Sequence, residues 1–301
     1  MKNERDDCIT DKLYERDAYI KSFAATVLSC EKVEDGYGII LDITAFFPEG
    51  GGQSCDTGLI DGIEVYNVQT VNGEIVHYAK EAIEKGKEVF CEIDFDKRFR
   101  KMQNHSGEHL LCGIIHNIYG FDNVGFHMDE YEVTLDVNGK LDNEMLLEIE
   151  RKANQAIYEN VKITVSFPDS NEAKNIDYRS KLDIEEGVRL VTIEGYDICA
   201  CCAPHLSMTG EIGIIKIIDS FFHRGGTRIT MRAGLSAYED YLLLDKNNKG
   251  LVALLSSKRY DTYDYAMRSD ERYHALLEEN IRLKKMFADQ EAKKLLEEIE
   301  H

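Results

Sequence analysis

Two pairs of residues, each spaced four positions apart, constrain the fold of this chain more than any other feature. His105 and His109 lie in the segment HSGEH, and Cys201 and His205 lie far downstream in the segment CCAPH. Residues four apart on a helix share one face, so the two imidazoles of the first pair can converge on one ion. Thiolate and imidazole both bind zinc, and the two pairs together therefore predict one Cys-His₃ site that joins two distant segments.

The sequence leaves the cysteine ligand open. Cys199, Cys201 and Cys202 lie within one short segment, and the spacing to His205 favours Cys201. A buried thiol cluster beside a structural histidine is the alternative without a metal. Four protein ligands would close a tetrahedral zinc, which would then only position a substrate, whereas three histidines alone would leave a place for an activated water.

A glycine-rich segment, FFPEGGGQSCDTG, forms the third motif. Gly50, Gly51 and Gly52 stand in succession, with Thr44 and Gln53 on either side of the run. Glycine loses more backbone entropy on folding than any other residue. Three glycines in succession therefore indicate a backbone that takes positive φ or approaches a partner closely.

The composition is that of a globular protein of one or two domains, with 301 residues of which 43% are hydrophobic. Uninterrupted apolar runs stay short and the amino terminus is polar. We therefore predict no membrane span, no signal peptide and a cytoplasmic location, where thiols stay reduced.

The formal net charge of −20 argues against broad, nonspecific binding to nucleic acid. Two basic clusters nevertheless stand out from the acidic background, one just before the histidine pair and one after the cysteine segment. They consist of Lys97, Arg98, Arg100 and Lys101, and of Arg224, Arg228 and Arg232.

The pattern of apolar residues predicts an α+β protein in three parts. Residues 1–95 are rich in short β runs, and Asn72-Gly73 suits a tight hairpin, which indicates a small barrel-like β domain. Residues 96–235 mix helices and strands, including a helix over about 104–119 ended by Gly120.

Residues 236–301 form the third part, a predicted helical tail that a Ser236-to-Glu239 capping box would begin. Leu276, Leu283 and Phe287 fit a loose heptad, with Asn280 in the same seam. This seam would pair with a second copy in a homodimer or lie on the other domains of its own chain.

Taken together and in order, the motifs resemble the editing domain of alanyl-tRNA synthetase and the free-standing alanyl-tRNA editing proteins. The resemblance covers about residues 37–234, through FFPEGGGQSCDTG, DKRFRKMQNHSGEHLL, CCAPH, TGEIG and GGTRI. The threonyl-tRNA synthetase editing domain shares the two ligand pairs but not the glycine-rich motif. One departure is that Cys202-Ala203-Pro204 replaces the Gly-Gly-Thr usual between the family's cysteine and histidine.

The resemblance implies a zinc-binding domain of the threonyl/alanyl-tRNA synthetase second additional domain type. It implies hydrolysis of Ser-tRNA(Ala), and also of Gly-tRNA(Ala), with the acceptor end of tRNA(Ala) as partner. The amino-terminal segment has no room for an aminoacylation core, so we expect a proofreading hydrolase that acts in trans and needs no ATP.

The resemblance also assigns roles to single residues. His105, His109, Cys201 and His205 take the zinc positions. From their places in the motifs, and not from the resemblance, Thr44, Gln53 and Glu108 are predicted to be catalytic. Thr44 and Gln53 flank the glycine run and are the candidates to recognise the extra hydroxyl of serine. Contact with tRNA is predicted for Gly50, Gly51, Gly52 and the seven residues of the two basic clusters.

Two alternatives stay open. HSGEH also fits HxxEH, the inverted order of a zinc peptidase, in which Glu108 would be the general base and a distant carboxylate the third ligand. That interpretation gives CCAPH no role. A noncatalytic, zinc-stabilised module that binds tRNA is the second alternative.

Overall fold

The computed structural model describes residues 10–129, 132–180 and 187–299. These residues fall into two compact units, the first ending at Tyr238 and the second beginning at Glu239. The first unit contains two hydrophobic cores, and both predicted ligand pairs lie in it. The mixture of helices and strands confirms the α+β class.

The amino-terminal core lies inside a ring of six antiparallel strands. The elements of this region are β1 Asp11–Lys12, α1 Leu13–Arg16, β2 Ser22–Val33, β3 Gly36–Leu41, β4 Ile43–Thr44, β5 Gly58–Ile60, β6 Ile63–Val71, β7 Glu74–Ala79 and β8 Glu88–Ile93. The ring runs β2-β3-β7-β6-β5-β8 and closes where β8 pairs with β2. The short strand β1 pairs with β4 outside this ring.

Apolar and polar residues alternate along the strands of the ring. The apolar side chains on one face of each strand therefore fill its interior. In β8, for example, Val89, Cys91 and Ile93 are buried and the residues between them are exposed. The predicted hairpin is confirmed, since β6 and β7 pair directly across Asn72-Gly73, with φ of 52° and 87°. A two-residue turn with positive φ matches the twist of antiparallel strands.

The second core lies among helices and two antiparallel sheets. Its elements are α2 Phe95–Tyr119, β9 Asn123–Met128, β10 Val133–Val137, α3 Asn143–Glu159, β11 Ile163–Ser166, α4 Ser170–Ala173, β12 Leu190–Ile193, β13 Asp197–Ala200, the 3₁₀ turn Thr209–Ile212, β14 Ile215–His223 and β15 Gly226–Ala233. One sheet has the order β14-β15-β10-β9 and the other β11-β12-β13. The core draws apolar residues from α2, α3 and both sheets.

Helix α2 is longer than the sequence predicted. It ends at Gly120, as expected, where φ is 69°, but it begins at Phe95 rather than near residue 104. The carboxylate of Asp94 caps the helix by accepting the N–H of Lys97 at 3.3 Å, so the basic segment before HSGEH is helical as well. Every residue from Lys101 to Ile115 is buried, and the polar side chains of HSGEH therefore need internal partners.

The second unit is helical. Helix α5, Gly234–Leu255, begins in the first unit, and α6 spans Thr262–Ile299. The predicted capping box is wrong, because α5 begins two residues before Ser236 and the Oε1 of Gln103 accepts the N–H of Leu235 at 3.2 Å.

The predicted seam of the tail lies on α6, where Leu276, Leu283 and Phe287 are 63%, 51% and 65% exposed in the single chain. A homodimer through this face stays a prediction. Within the described ranges, no helix is long and apolar enough to cross a membrane.

Candidate metal centre

Four side chains from the two distant segments meet inside the first unit. His105 and His109 lie one turn apart on α2, and Cys201 and His205 lie in the loop that follows β13. Their candidate ligand atoms all lie within 4.8 Å of one another. The Sγ of Cys201 is 3.3 Å from the Nε2 of His205 and 3.7 Å from the Nε2 of His105. The two pairs thus form one group, as the spacing predicted.

Each of the three imidazoles has an oxygen atom beside its Nδ1. Histidines that bind zinc through one nitrogen usually donate the other N–H to such an oxygen, which fixes the tautomer and the ring orientation. The arrangement leaves the Nε2 atoms for an ion. The pairs are His105 with Gln53 Oε1 at 2.7 Å, His205 with Ser106 Oγ at 3.1 Å and His109 with Asp197 Oδ2 at 3.3 Å.

The chemistry of these donors fits zinc, which binds imidazole nitrogen and thiolate in closed four-ligand sites. Burial would raise the pKa of Cys201, but the neighbouring His105 and His205 lower it well below its ordinary value. Burial, reinforced by His109, lowers the pKa of His205 to about 3. Cys201 and His205 therefore favour the thiolate and the neutral imidazole, the protonation states in which these groups bind a metal. At His109 burial would lower the pKa, but the neighbouring Cys199, Asp197 and Cys201 raise it.

The structure separates the three candidate cysteines. Cys201 belongs to the group of four, whereas the buried Cys199 lies beside His109 and Asp197 in a second group of possible ligands. Cys202 is exposed and belongs to neither group. Among the three, Cys201 is thus the one placed to complete a site with three histidines.

The glycine-rich segment forms a tight turn that delivers Gln53 to His105. Gly50 and Gln53 exchange backbone hydrogen bonds of 3.1 and 3.0 Å, and the two residues between them have φ of 61° and 87°. The carbonyl of Gly52 accepts the N–H of Met128 in β9 at 3.0 Å. The positive φ values explain Gly51 and Gly52, and the close approach to β9 adds a second reason at Gly52. Contact of the three glycines with tRNA stays a prediction.

Glu108 lies at the edge of the group of four. Its Oε1 accepts hydrogen bonds from the Sγ of Cys112, at 3.2 Å, and from the Nδ2 of Asn123. Its Oε2 is 3.9 Å from the Nε2 of His109, and the residue is 4% exposed. The carboxylate is thus buried and oriented next to the candidate metal position, while its catalytic role stays a prediction.

Three residues that support the site escaped sequence reasoning. Ser106 and Asp197 face the histidines, and the buried Arg189 holds the cysteine loop by donating from Nη1 to the carbonyls of Cys201, at 2.7 Å, and Ala203, at 3.0 Å. A charged residue inside an apolar strand pattern, such as Asp197 in YDICAC, is the signal that was available.

Thr44 lies in the barrel, fully buried, and its hydroxyl has two partners. The Nδ1 of His77 is 3.0 Å from the carbonyl of Ile39, so His77 donates there and accepts through Nε2 from the Thr44 hydroxyl at 2.8 Å. The Thr44 oxygen in turn accepts the N–H of Phe46 at 3.1 Å. Burial lowers the pKa of His77 to about 4, which keeps the ring neutral near pH 7.

Replacement of Thr44 with valine is expected to lower the free energy of unfolding by about 1–3 kcal/mol. The reason is that the buried Nε2 of His77 and N–H of Phe46 both lose a partner. Urea denaturation measures the effect, with Thr70→Val at an exposed position of β6 as a control expected within about 0.5 kcal/mol of the wild type.

Recognition of the serine hydroxyl by Thr44 stays a prediction. The same Thr44→Val variant would then hydrolyse Ser-tRNA and Ala-tRNA in an altered ratio. An unchanged ratio would remove Thr44 from the recognition site and leave it with its role in the barrel.

Two of the predicted tRNA contacts are wrong. Arg98 is fully buried, and its guanidinium is bound by the carboxylate of Asp56 and by the carbonyls of Ala18, at 3.1 Å, and Ala45, at 2.6 Å. Lys101 is 5% exposed and donates to the carbonyls of Ser54 and Cys55. The long helix α2 turns these two side chains inward, so they fasten it to the barrel instead of facing a phosphate.

The other five basic residues are at least partly exposed. Lys97 lies 3.3 Å from Asp94, Arg228 forms a two-pronged pair with Asp136 and Arg232 lies 3.2 Å from Glu132. Their contact with tRNA stays a prediction, as it does for Arg100 and Arg224.

A cavity of about 830 Å³ lies beside the candidate metal centre. Its wall includes Arg179, Asp197, Cys199 and Asn123, but none of the four converging residues. The cavity therefore lies behind His109, on the side of its Nδ1.

Comparison with known proteins agrees with the motifs. Residues 188–252 match the family described as the threonyl and alanyl tRNA synthetase second additional domain. Residues 7–97 match the family of class II (A) tRNA synthetases. The fold, the site and these matches define a protein related to the class II tRNA synthetases.

Curated relatives narrow this class. The alanine–tRNA ligase of Ignicoccus hospitalis is 37% identical over 246 residues, which cover 77% of this chain and 27% of the ligase. The alanyl-tRNA editing protein AlaX-L of Pyrococcus horikoshii is 30% identical over 219 residues, 70% of this chain and 54% of that protein. The alanyl-tRNA editing protein Aarsd1 of Mus musculus is 30% identical over 225 residues, 69% of this chain and 55% of that protein.

The chain is therefore a relative of the alanyl-tRNA editing proteins and of the alanine–tRNA ligases, and the resemblance recognised from the motifs is confirmed. It spans about half of the length of these editing proteins and about a quarter of the ligase.

Proposed function

We propose that this protein is a trans-editing hydrolase that removes a wrong amino acid from tRNA(Ala). Its main substrate would be Ser-tRNA(Ala), with Gly-tRNA(Ala) as a second substrate, and its products would be the free amino acid and intact tRNA. Two of its relatives carry the name alanyl-tRNA editing protein. The proposal includes a zinc ion, independence from ATP and a cytoplasmic location.

One observation carries this proposal, namely that all three motifs supply side chains to one buried group. The glycine-rich segment provides Gln53, HSGEH provides two histidines, and CCAPH provides Cys201 and His205. Each motif thus has a role, which the peptidase alternative does not provide.

Among the described residues, no group of possible ligands joins a carboxylate to both histidines, as the peptidase alternative requires. This alternative requires a carboxylate beside the two histidines, but the group of four contains a thiol and an imidazole in that place. The nearest candidate, Asp197, faces the Nδ1 of His109 and is held by Arg179. These contacts favour an editing site over a peptidase.

The side chains around the ion would orient the substrate. When bound, zinc would supply a positive charge that attracts and polarises oxygen atoms of the substrate. Gln53 is 1% exposed, its Oε1 is engaged by His105, and its Nε2 has no hydrogen-bond partner within the described residues. We assign this unpaired amide group to a substrate oxygen, because an unpaired buried donor costs free energy until it is satisfied.

Selectivity follows from the same amide group. Serine differs from alanine by one hydroxyl, and a buried polar group aimed at that hydroxyl can reject its absence by up to roughly 10⁴-fold. The Nε2 of Gln53 is the donor best suited to this task, and Thr44 remains the second candidate.

Binding of the acceptor end of tRNA(Ala) would use the partly exposed basic residues. These are Lys97, Arg100, Arg224, Arg228 and Arg232. The chain carries a formal net charge of −20, so phosphate contact would depend on this set and would weaken as salt rises.

The deciding experiment is deacylation of Ser-tRNA(Ala), Gly-tRNA(Ala) and Ala-tRNA(Ala) by the purified protein, with and without removal of zinc by a chelator. We expect hydrolysis of the seryl ester at least roughly 10²-fold faster than that of the alanyl ester. Chelation should abolish this activity, and rising salt should reduce it steeply.

Absence of turnover with all three substrates, in a folded and zinc-loaded sample, would contradict the proposed function. Retained binding of tRNA in that sample would favour the noncatalytic module instead. Activity that survives complete removal of zinc would show that the metal is dispensable for the reaction.

A further inference from the structure

A buried carboxylate and a partly buried guanidinium lie directly behind His109. The Oδ2 of Asp197 is 3.3 Å from the Nδ1 of His109, and both side chains are at most 4% exposed. Among the described residues no group meets the geometry of a hydrogen bond to this buried Nδ1, and Asp197 provides the oxygen beside it. Arg179 grips the same carboxylate with two parallel bonds, Nε to Oδ1 at 2.7 Å and Nη2 to Oδ2 at 2.8 Å. A two-pronged pair of this kind fixes orientation as well as charge.

The backbone places both charged groups. Asp197 is the first residue of β13, and Arg179 runs alongside that strand, donating its N–H to the carbonyl of Ile198 at 2.8 Å and accepting the N–H of Ala200 at 2.9 Å. The paired backbones hold the side chains of Arg179 and Asp197 close together.

Helix α2 carries a glycine where β13 comes closest. A Cβ built on Gly113 would lie 2.5 Å from the carbonyl oxygen of Tyr196 and 2.6 Å from the Cβ of Asp197. Glycine in a helix interior costs about 1 kcal/mol relative to alanine. Because Gly113 has no side chain, Asp197 can approach α2 one turn after His109.

A second metal ion at this position is the competing interpretation, since His109, Asp197 and Cys199 also form a group of possible ligands. The contacts of Arg179 argue against it. The guanidinium occupies both carboxylate oxygens and would repel a cation placed beside them.

We propose that Asp197 and Arg179 form a positioning pair that accepts the Nδ1–H of His109 and so aims its Nε2 at the metal. The inference rests on the zinc centre of the proposed function and adds to it a determinant of metal affinity. Asp197 orients the ligand, and the two bonds from Arg179 hold Asp197 in place. Neither residue touches the substrate.

The test is the zinc affinity of Asp197→Asn and of the double variant Asp197→Asn/Arg179→Gln, measured on metal-free protein by competition with a chromogenic chelator. We expect both variants to bind zinc about 10 to 100 times more weakly than the wild type. The double variant leaves no unpaired buried charge, and it decides the question if the single variant fails to fold.

Asp136→Asn is the matched control. Asp136 forms the same two-pronged pair with Arg228, with bonds of 2.6 and 2.7 Å, but outside the metal group. Its loss should leave zinc affinity within about twofold of the wild type.

Wild-type affinity in the double variant, together with a lower melting temperature, would make the pair merely structural and overturn the inference. Two zinc ions per wild-type chain, with one in the Asp197 variant, would establish the second metal site instead. Because no tRNA enters this assay, its failure is distinct from a failure of the editing activity.

Discussion

Replacement of Cys201 with serine is expected to weaken the proposed zinc binding roughly 10²-fold and to abolish the proposed hydrolysis of Ser-tRNA(Ala). Structural zinc sites bind with about 10–16 kcal/mol, so one of four ligands accounts for about 3 kcal/mol. The Sγ of Cys201 faces the Nε2 atoms of His105 and His205 at 3.7 and 3.3 Å. Competition with a chelator measures the affinity, and cobalt substitution reports the thiolate through its charge-transfer band.

The neighbouring cysteines provide matched controls. Cys202→Ser alters the next residue, which is exposed, and should leave affinity and the cobalt spectrum unchanged. Cys199→Ser changes a buried thiol outside the group of four and should also keep the thiolate band. If the thiolate band is lost in Cys199→Ser or Cys202→Ser but retained in Cys201→Ser, the assignment of Cys201 as the ligand is contradicted.

Replacement of Gly52 with alanine is expected to disrupt the metal centre from a distance. The new Cβ would lie 2.6 Å from the Phe126 ring and 2.9 Å from the Phe126 carbonyl oxygen, at a φ of 87°. We expect a loss of about 2–5 kcal/mol of stability from forced overlap and backbone strain. The Phe126 ring stacks on His105 at 5.0 Å, and Gly52 precedes Gln53, so His105 should lose its orientation.

Deacylation of Ser-tRNA(Ala) by Gly52→Ala should fall by roughly 10²-fold, the size of effect that a displacement of about 1 Å produces in an active site. Gly51→Ala is the control, because φ is 61° there and no atom lies within 4 Å of the new Cβ. It should cost only about 1 kcal/mol. Equal behaviour of the two variants would contradict the close approach of the turn to β9.

Local patterns in the sequence predicted the features of secondary structure that depend only on the residues of the element itself. The hairpin at Asn72-Gly73 and the end of α2 at Gly120 depend on backbone conformations that few residues allow. The start of α2 was misplaced, because the cap at Asp94 precedes a run of charges that looks like a solvated segment.

The convergence of the four candidate ligands could be predicted because metal chemistry restricts both residue type and spacing. The residues around it could not, since their roles depend on tertiary neighbours. Arg98 and Lys101 look like surface cations in a sequence, and only the packing of α2 against the barrel turns them inward. Asp197 likewise gains its role from the approach of β13 to His109.

The buried pair of Arg98 and Asp56 ties the two cores of the first unit into one cooperative structure. Arg98 belongs to the helix that carries His105 and His109, whereas Asp56 and Ala45 belong to the barrel segment. Separating the two would leave a guanidinium and a carboxylate uncompensated in apolar surroundings, at a cost of several kcal/mol. The glycine turn and helix α2 therefore unfold together. A partly unfolded state that keeps only one of them is suppressed.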